Sequence, residues 1–405
     1  MKRSRAWWQE RTRGFIPECA RVIEERLGAE AIEAIFVCGS FALGDETVVL
    51  ETASPVLLSD IDLVVVVTSL DALFAWASRR SELGAACEKI VEDVRFSGRV
   101  EVGVMRREDL AALPPRPGVY DMRAKGRVLS GNPRVLELIP DYAPSEITTN
   151  EALILTENRM VALIDCRDGA GRAAEAEPYE SVYRIARVYT DIAVAALSIA
   201  GAYVPGYAAR RDLIRAKIAE GDALLSGLLS AEIVGKIDRW TRYKLEPSIE
   251  TAGAGSGTGA FEGLWEEAAR EVLLFWRKAA THERDPRRAL SNPLRVEDLA
   301  GKRRTYREWR NHLRGWRPVL GGVPATRRLP CAMALGARLV SGSPLDAVRE
   351  AGVRLLDRRL GAGVESSVAG APGGFPHHGG RWDDAAAELC SVWSNLVFGR
   401  AGDRG

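Results

Sequence analysis

The spacing of apolar residues along this chain changes from strand-like to helix-like, and the change predicts its organisation. Residues 1–30 repeat apolar side chains every three or four positions, which predicts a helix. Between 30 and 135, short apolar runs at 34–38 and 63–67 and an alternating run at 99–105 are separated by turn residues. These runs predict a mixed or antiparallel sheet of about four to six strands.

Helices dominate the rest of the predicted structure. One helix is expected between sheet strands, over 71–89, and a last short strand at 128–131. From about 145 the pattern is helical, most strongly over 179–201. Glycine alternates with small residues over 252–260, which is typical of a linker. We therefore expect a sheet domain over 1–140, a helical domain over 145–250 and a C-terminal helical region over 261–405.

Two carboxylates stand at the start of one predicted strand, in the sequence Ser59-Asp60-Ile61-Asp62. Residues i and i+2 of a strand project to the same face, so Asp60 and Asp62 project together. Adjacent carboxylates repel each other unless a cation lies between them. Oxygen ligands of this kind suit a hard dication, and Mg²⁺ is the first expectation.

A third acid is expected on the same face. Within 99–105 the valines alternate on one side, and Glu101 projects to the other. If this strand lies beside the strand of the two aspartates, three carboxylates converge, which suits one or two Mg²⁺ ions and a nucleoside triphosphate. Glu92 and Asp93 are the alternative third acids, in a less regular pattern.

Gly39-Ser40 ends the first apolar run and can approach a phosphate closely. Glycine has no Cβ to obstruct that approach, and the backbone N–H groups and the Ser40 hydroxyl can donate to phosphate oxygens. A helix that starts near Phe41 would add the positive end of its dipole.

These motifs, in this order, resemble the nucleotidyltransferase superfamily of the DNA polymerase β type, in its small-molecule or aminoglycoside-like branch. The family pattern is an apolar strand followed by Gly-Ser or Gly-Gly, a short helix, acid-apolar-acid-apolar, and one more acid on a later strand. The likeness covers roughly residues 30–110. It implies an α+β fold, with a mixed sheet and flanking helices followed by a helical C-terminal region. Residues 44–59 exceed the family spacing, and we expect an inserted loop or hairpin there, near the triphosphate.

The resemblance also implies a chemistry and a set of site residues. A nucleoside monophosphate would pass from an NTP, with ATP the first expectation, to an acceptor hydroxyl or phosphate, with one or two Mg²⁺ ions. The catalytic and metal-binding residues would be Asp60, Asp62 and Glu101. The helical domain would cover the cleft. Nucleotide contacts are expected from Gly39, Ser40, Ser59, Arg187, Tyr203, Tyr207 and Lys217.

The helical contacts have a plainer alternative. Arg187 and Asp191 are four residues apart and could form an ordinary helical ion pair, and the tyrosines could belong to the core.

Composition narrows the choice of acceptor class. The formal charge is +1, so bulk charge gives no argument for nucleic acid, and a small-molecule acceptor is favoured. A toxin-like enzyme acting on tRNA or protein, and a non-catalytic nucleotide-binding protein of the same fold, remain the alternatives. The six scattered cysteines indicate reduced thiols of a cytoplasmic protein, and no transmembrane helix or signal peptide is expected. The oligomeric state is left open.

Two further segments have no assigned role. Residues 302–317 hold seven basic residues and one acid, interleaved with Trp309 and Trp316. Such a pattern can grip nucleic acid, a membrane surface or a partner, but a solvated helix with inward tryptophans is favoured. Residues 361–380 are glycine-rich.

Overall fold

The computed structural model describes residues 4–282, except at 53, 78–79, 91–93, 97, 177 and 249–257, together with residues 349, 352–353, 355–356 and 360. The basic stretch 302–317, the glycine-rich stretch 361–380 and the alternative acids Glu92 and Asp93 lie outside the described residues. Within the described part of the chain, no helix combines the length and apolar character that crossing a membrane requires.

The predicted N-terminal helix is present as α1 (Arg5–Leu27). Ser4 caps it by accepting a hydrogen bond from the Trp7 backbone N–H, and Gly28 follows its last turn with a positive φ. Its apolar stripe packs with the first face of the central sheet into one core cluster.

The predicted mixed sheet is confirmed as four strands. They are β1 (Ile32–Cys38), β4 (Ile61–Val67), β6 (Val100–Arg106) and β7 (Arg127–Gly131). The strand order is β6-β4-β1-β7. β1 runs antiparallel to both of its neighbours, whereas β4 and β6 run parallel. Both central strands are buried on both faces, which accounts for their continuous apolar runs.

The long segment after the first strand forms the expected hairpin. Helix α2 (Gly39–Leu43) follows β1 directly, so it begins at Gly39 rather than near Phe41. Strands β2 (Val48–Val49) and β3 (Val56–Leu57) then pair antiparallel, and β3 also pairs in parallel with β5 (Arg95–Phe96). The insertion is therefore part of a second, three-stranded sheet with buried valines and leucine.

Helices cover both faces of the central sheet. The helix predicted over 71–89 corresponds to α3 (Leu70–Ala77) and α4 (Arg80–Glu88). α4 packs with α1 on one face, and α5 (Arg107–Ala111) and α6 (Pro117–Lys125) cover the other. Asp62 shares the second face with Val64 and Val66, because side chains alternate along β4.

The remaining described helices follow in sequence. They are α7 (Thr149–Ala176), α8 (Pro178–Ile199), α9 (Tyr207–Ala219), α10 (Ala223–Leu228), α11 (Ala231–Leu245) and α12 (Thr258–Ala280). The chain divides into two compact units, Met1–Glu151 with Glu177–Gly255, and Ala152–Ala176 with Ser256–Gly405. The first unit thus contains both the sheet and α8–α11, which the sequence analysis assigned to separate domains. In the second unit the Trp265 indole N–H donates to the Leu163 carbonyl, 2.8 Å away.

Candidate active site

Three carboxylates meet at one end of the β4–β6 pair. Asp62 is the register partner of Glu101 across the parallel strands, which confirms the predicted adjacency of these two residues. Neighbouring strands lie about 4.8 Å apart, so the two backbones place their side chains within reach of one metal ion. Asp60 precedes β4, and its Oδ1 accepts a hydrogen bond from the Arg99 backbone N–H at 3.1 Å.

Gly39 packs directly against Asp62. Its φ is +62°, a conformation that favours glycine, and a Cβ at this position would lie 2.1 Å from Asp62 Oδ2. On the same edge Cys38 is the register partner of Asp62 in the antiparallel β1–β4 pair. A side chain at position 39 would therefore clash with the Asp62 carboxylate.

The cluster is electrostatically costly without a cation. Burial, together with the neighbouring charges of Asp60 and Glu101, raises the pKa of Asp62 to about 7 against the opposing effect of Arg187 and Lys244. Oxygen donors crowded in this way have the chemistry of a Mg²⁺ site.

Arg187 reaches this cluster from α8. Its Nη1 lies 3.8 Å from Asp60 Oδ2, and both side chains are about a third exposed, at 38% and 32%. The side chain also lies over the ring of Tyr183, with Cζ 6.0 Å from the ring centroid. A partly exposed guanidinium beside the carboxylates can contact a bound anion.

Sequence reasoning missed Lys244, a buried lysine on α11. It is 1% exposed, and its Nζ donates to Ser59 Oγ and to Tyr183 Oη, each at 2.9 Å. Its Nζ also lies 4.7 and 5.1 Å from the ring centroids of Tyr183 and Tyr207. Burial opposes ionisation of Tyr183, but the charges of Lys244 and Arg187 and the hydrogen bonds with Lys244 and Ser59 together hold its pKa below the usual value.

A signal for Lys244 was present in the sequence. Ile233, Ile237 and Trp240 recur at helical spacing along the buried face of α11, and Lys244 occupies the next position of that stripe. A lysine on a core stripe indicates a specific buried partner. Ser59, expected to contact nucleotide, is that partner, and its hydroxyl also accepts from the Thr47 backbone N–H at 2.8 Å.

The other predicted nucleotide contacts are placed differently from one another. Tyr203 is 1% exposed, and its hydroxyl donates to Asp121 Oδ2 at 2.7 Å, so its ring belongs to the core. Tyr207 is half-buried at the start of α9, and its backbone N–H donates to Asp45 Oδ2 at 2.9 Å.

Arg210 and Lys217 of α9 are both paired with acidic side chains. Arg210 is buried, with Nη2 3.2 Å from Asp121 Oδ2 and its guanidinium over the rings of Tyr203 and Tyr207. Lys217 lies ten residues beyond Tyr207, about 15 Å along the helix, and faces Asp222 at 3.7 Å. The structure therefore places Gly39 and Arg187 beside the carboxylates and Ser59 next to Asp60 in the chain, puts Tyr207 near Lys244, and leaves Lys217 at the far end of α9.

Comparison with known proteins gave no assignment: no family model, curated protein or solved structure matches the chain.

Proposed function

We propose that this protein is a metal-dependent nucleotidyltransferase that moves a nucleoside monophosphate from an NTP to a hydroxyl or phosphate of a small-molecule acceptor. The observation that carries the proposal is the pairing of Asp62 with Glu101 across parallel strands, with Asp60 two residues from Asp62. Such a cluster serves no purpose in packing, since burial and the neighbouring charges of Asp60 and Glu101 oppose the ionisation of Asp62.

The donor set fits Mg²⁺. All three side chains offer carboxylate oxygens, and a dication would remove the repulsion that raises the pKa of Asp62. Asp60 and Asp62 would hold the ion that grips the triphosphate, and Glu101 would complete a second ion site. When bound, these ions would neutralise charge on the triphosphate and lower the pKa of the acceptor hydroxyl.

The side chains around the cluster have complementary tasks. The acceptor oxygen attacks the α-phosphorus in line, the α–β phosphoanhydride bond breaks and pyrophosphate leaves. Glu101 helps to take the acceptor proton. Arg187, with its partly exposed guanidinium, is placed to balance the charge that develops on the leaving pyrophosphate. The turn at Gly39 and Ser40 offers N–H and O–H donors to the phosphates.

The net charge of the chain favours one class of acceptor. A formal charge of +1 over the whole chain gives no general attraction for a polyanion, which favours a small molecule over RNA. ATP is the first co-substrate to test.

The decisive experiment supplies each α-³²P-labelled NTP with Mg²⁺ to the purified protein and a host lysate divided into small-molecule, RNA and protein fractions. We expect label in the small-molecule fraction, and none with an Asp62→Asn variant. Label in RNA or protein would replace the acceptor class with the toxin-like one. Nucleotide binding with no label in any fraction would contradict catalysis and favour a binding protein of the same fold.

A further inference from the structure

The buried ammonium of Lys244 is a feature that stability alone does not explain. Its two hydrogen-bond acceptors, Ser59 Oγ and Tyr183 Oη, are hydroxyl oxygens. Hydroxyls solvate a cation but do not neutralise it. A folded protein is usually at least as stable with an apolar side chain of similar volume in place of a buried charge. The role of Lys244 must therefore lie in the groups that its partners position.

Those partners lead directly to the carboxylate cluster. Ser59 is the residue before Asp60, and it is fully buried. The Lys244 ammonium holds the Ser59 side chain, while the Lys244 carbonyl accepts a hydrogen bond from Thr47 Oγ1 at 2.8 Å. The Thr47 backbone N–H closes the loop by donating to Ser59 Oγ at 2.8 Å. Lys244 thus forms hydrogen bonds with both chain segments that lead into β2 and β4.

We propose that Lys244 is a positioning residue of the metal site: through the bond from its ammonium to Ser59 it determines where the Asp60 and Asp62 carboxylates project. This inference rests on the proposed function, because it assumes that these carboxylates bind a divalent cation. It assigns to Lys244 no contact with substrate.

The direction of the change in metal affinity distinguishes a positioning role of Lys244 from a purely electrostatic effect of its charge. A positive charge close to the site repels a dication, so its removal would by charge alone tighten metal binding. Loss of a group that orients a metal ligand instead weakens binding, typically by about 10–100-fold.

The experiment measures Mn²⁺ binding to the full chain by calorimetry, without nucleotide, for the wild type, Lys244→Met and Tyr243→Phe. Tyr243 is the matched control: it is the preceding residue of α11, is equally buried, and ties the helix to α8 by donating to the Tyr179 carbonyl at 2.9 Å. We expect Lys244→Met to weaken Mn²⁺ binding about 10–100-fold. Tyr243→Phe should lower the melting temperature and leave Mn²⁺ affinity unchanged.

Unchanged or tighter binding by Lys244→Met would overturn the positioning role, provided that Asp62→Asn abolishes binding. If the wild type binds no Mn²⁺, or if Asp62→Asn binds as well as the wild type, the metal site of the proposed function fails instead.

If Lys244→Met does not fold, Ser59→Ala tests the same connection from its other end. Its loss of Mn²⁺ affinity should be comparable to the one expected for Lys244→Met, and wild-type affinity would contradict the proposal. If both variants fold, the double variant should bind Mn²⁺ no more weakly than the weaker of the two single variants. Both substitutions break the same connection, the one between Lys244 and Ser59. Additive losses would mean that Lys244 does not act through Ser59.

Discussion

Gly39 and Asp62 are in such close contact that a Cβ at position 39 would lie 2.1 Å from Asp62 Oδ2. We therefore expect Gly39→Ala to displace the Asp62 carboxylate and to abolish Mg²⁺-dependent transfer. The positive φ of +62° adds a backbone cost of about 1–2 kcal/mol for a residue with a Cβ. Transfer rates and the shift of melting temperature on adding Mg²⁺ measure the effect on Asp62, and the melting temperature without Mg²⁺ measures the backbone cost.

Gly44, at the other end of α2, provides the matched control. Its φ is +74°, but a Cβ there would meet nothing within 4 Å. Gly44→Ala should therefore show the same backbone cost, about 1–2 kcal/mol, and keep both Mg²⁺ stabilisation and transfer. Equal loss of transfer in the two variants would mean that the contact with Asp62 is not what matters.

Glu101 is expected to be the third acid because it is the register partner of Asp62. Glu101→Gln should reduce the transfer rate at least about 100-fold, the order expected when a metal ligand or proton acceptor is lost. Glu92→Gln and Asp93→Asn, which change the two alternative acids, should retain wild-type rates. If Glu101→Gln keeps the wild-type rate and a Glu92 or Asp93 variant is inactive, the third acid is Glu92 or Asp93 instead of Glu101.

Stability of the metal-free protein should fall as pH rises from about 4 to about 7. The folded-state pKa of Asp62, about 7, lies above its ordinary value of 3.8, so between these values the folded protein holds a proton that the unfolded chain has released. The free energy of unfolding then decreases by at most about 1.4 kcal/mol per pH unit, and the contribution is lost above pH 7.

Urea unfolding in EDTA at several pH values tests this, with Asp62→Asn as control. The variant cannot release the proton and should show a flatter profile. Parallel profiles for the two proteins would show that Asp62 ionises normally in the fold.

Local pattern was enough to predict the strands of the central sheet, because alternation and continuous apolar runs report directly on burial. It does not give strand order, so the position of the Glu101 strand beside the Asp62 strand was a condition of the sequence argument, and the structure meets it. Lys244 and Ser59 are 185 residues apart in sequence, and no local rule joins them. Tyr203 shows the opposite difficulty: an aromatic residue after a helix fits a ligand stack and a core equally well. Only its 2.7 Å hydrogen bond to Asp121 assigns the ring to the core.

Arg187 and Arg184 form a natural comparison on α8, because their side chains are almost equally exposed, at 38% and 37%. Arg187 lies 3.8 Å from Asp60, whereas Arg184 pairs with Glu180 on its own helix at 3.0 Å. We expect Arg187→Gln to raise the KM for the NTP and lower kcat, since a phosphate-facing guanidinium acts on both the bound triphosphate and the leaving pyrophosphate. Arg184→Gln should change neither constant by more than about twofold, because an exposed helical pair contributes little. Steady-state kinetics of the two variants decide the matter, and equal effects would place the nucleotide elsewhere on the helix.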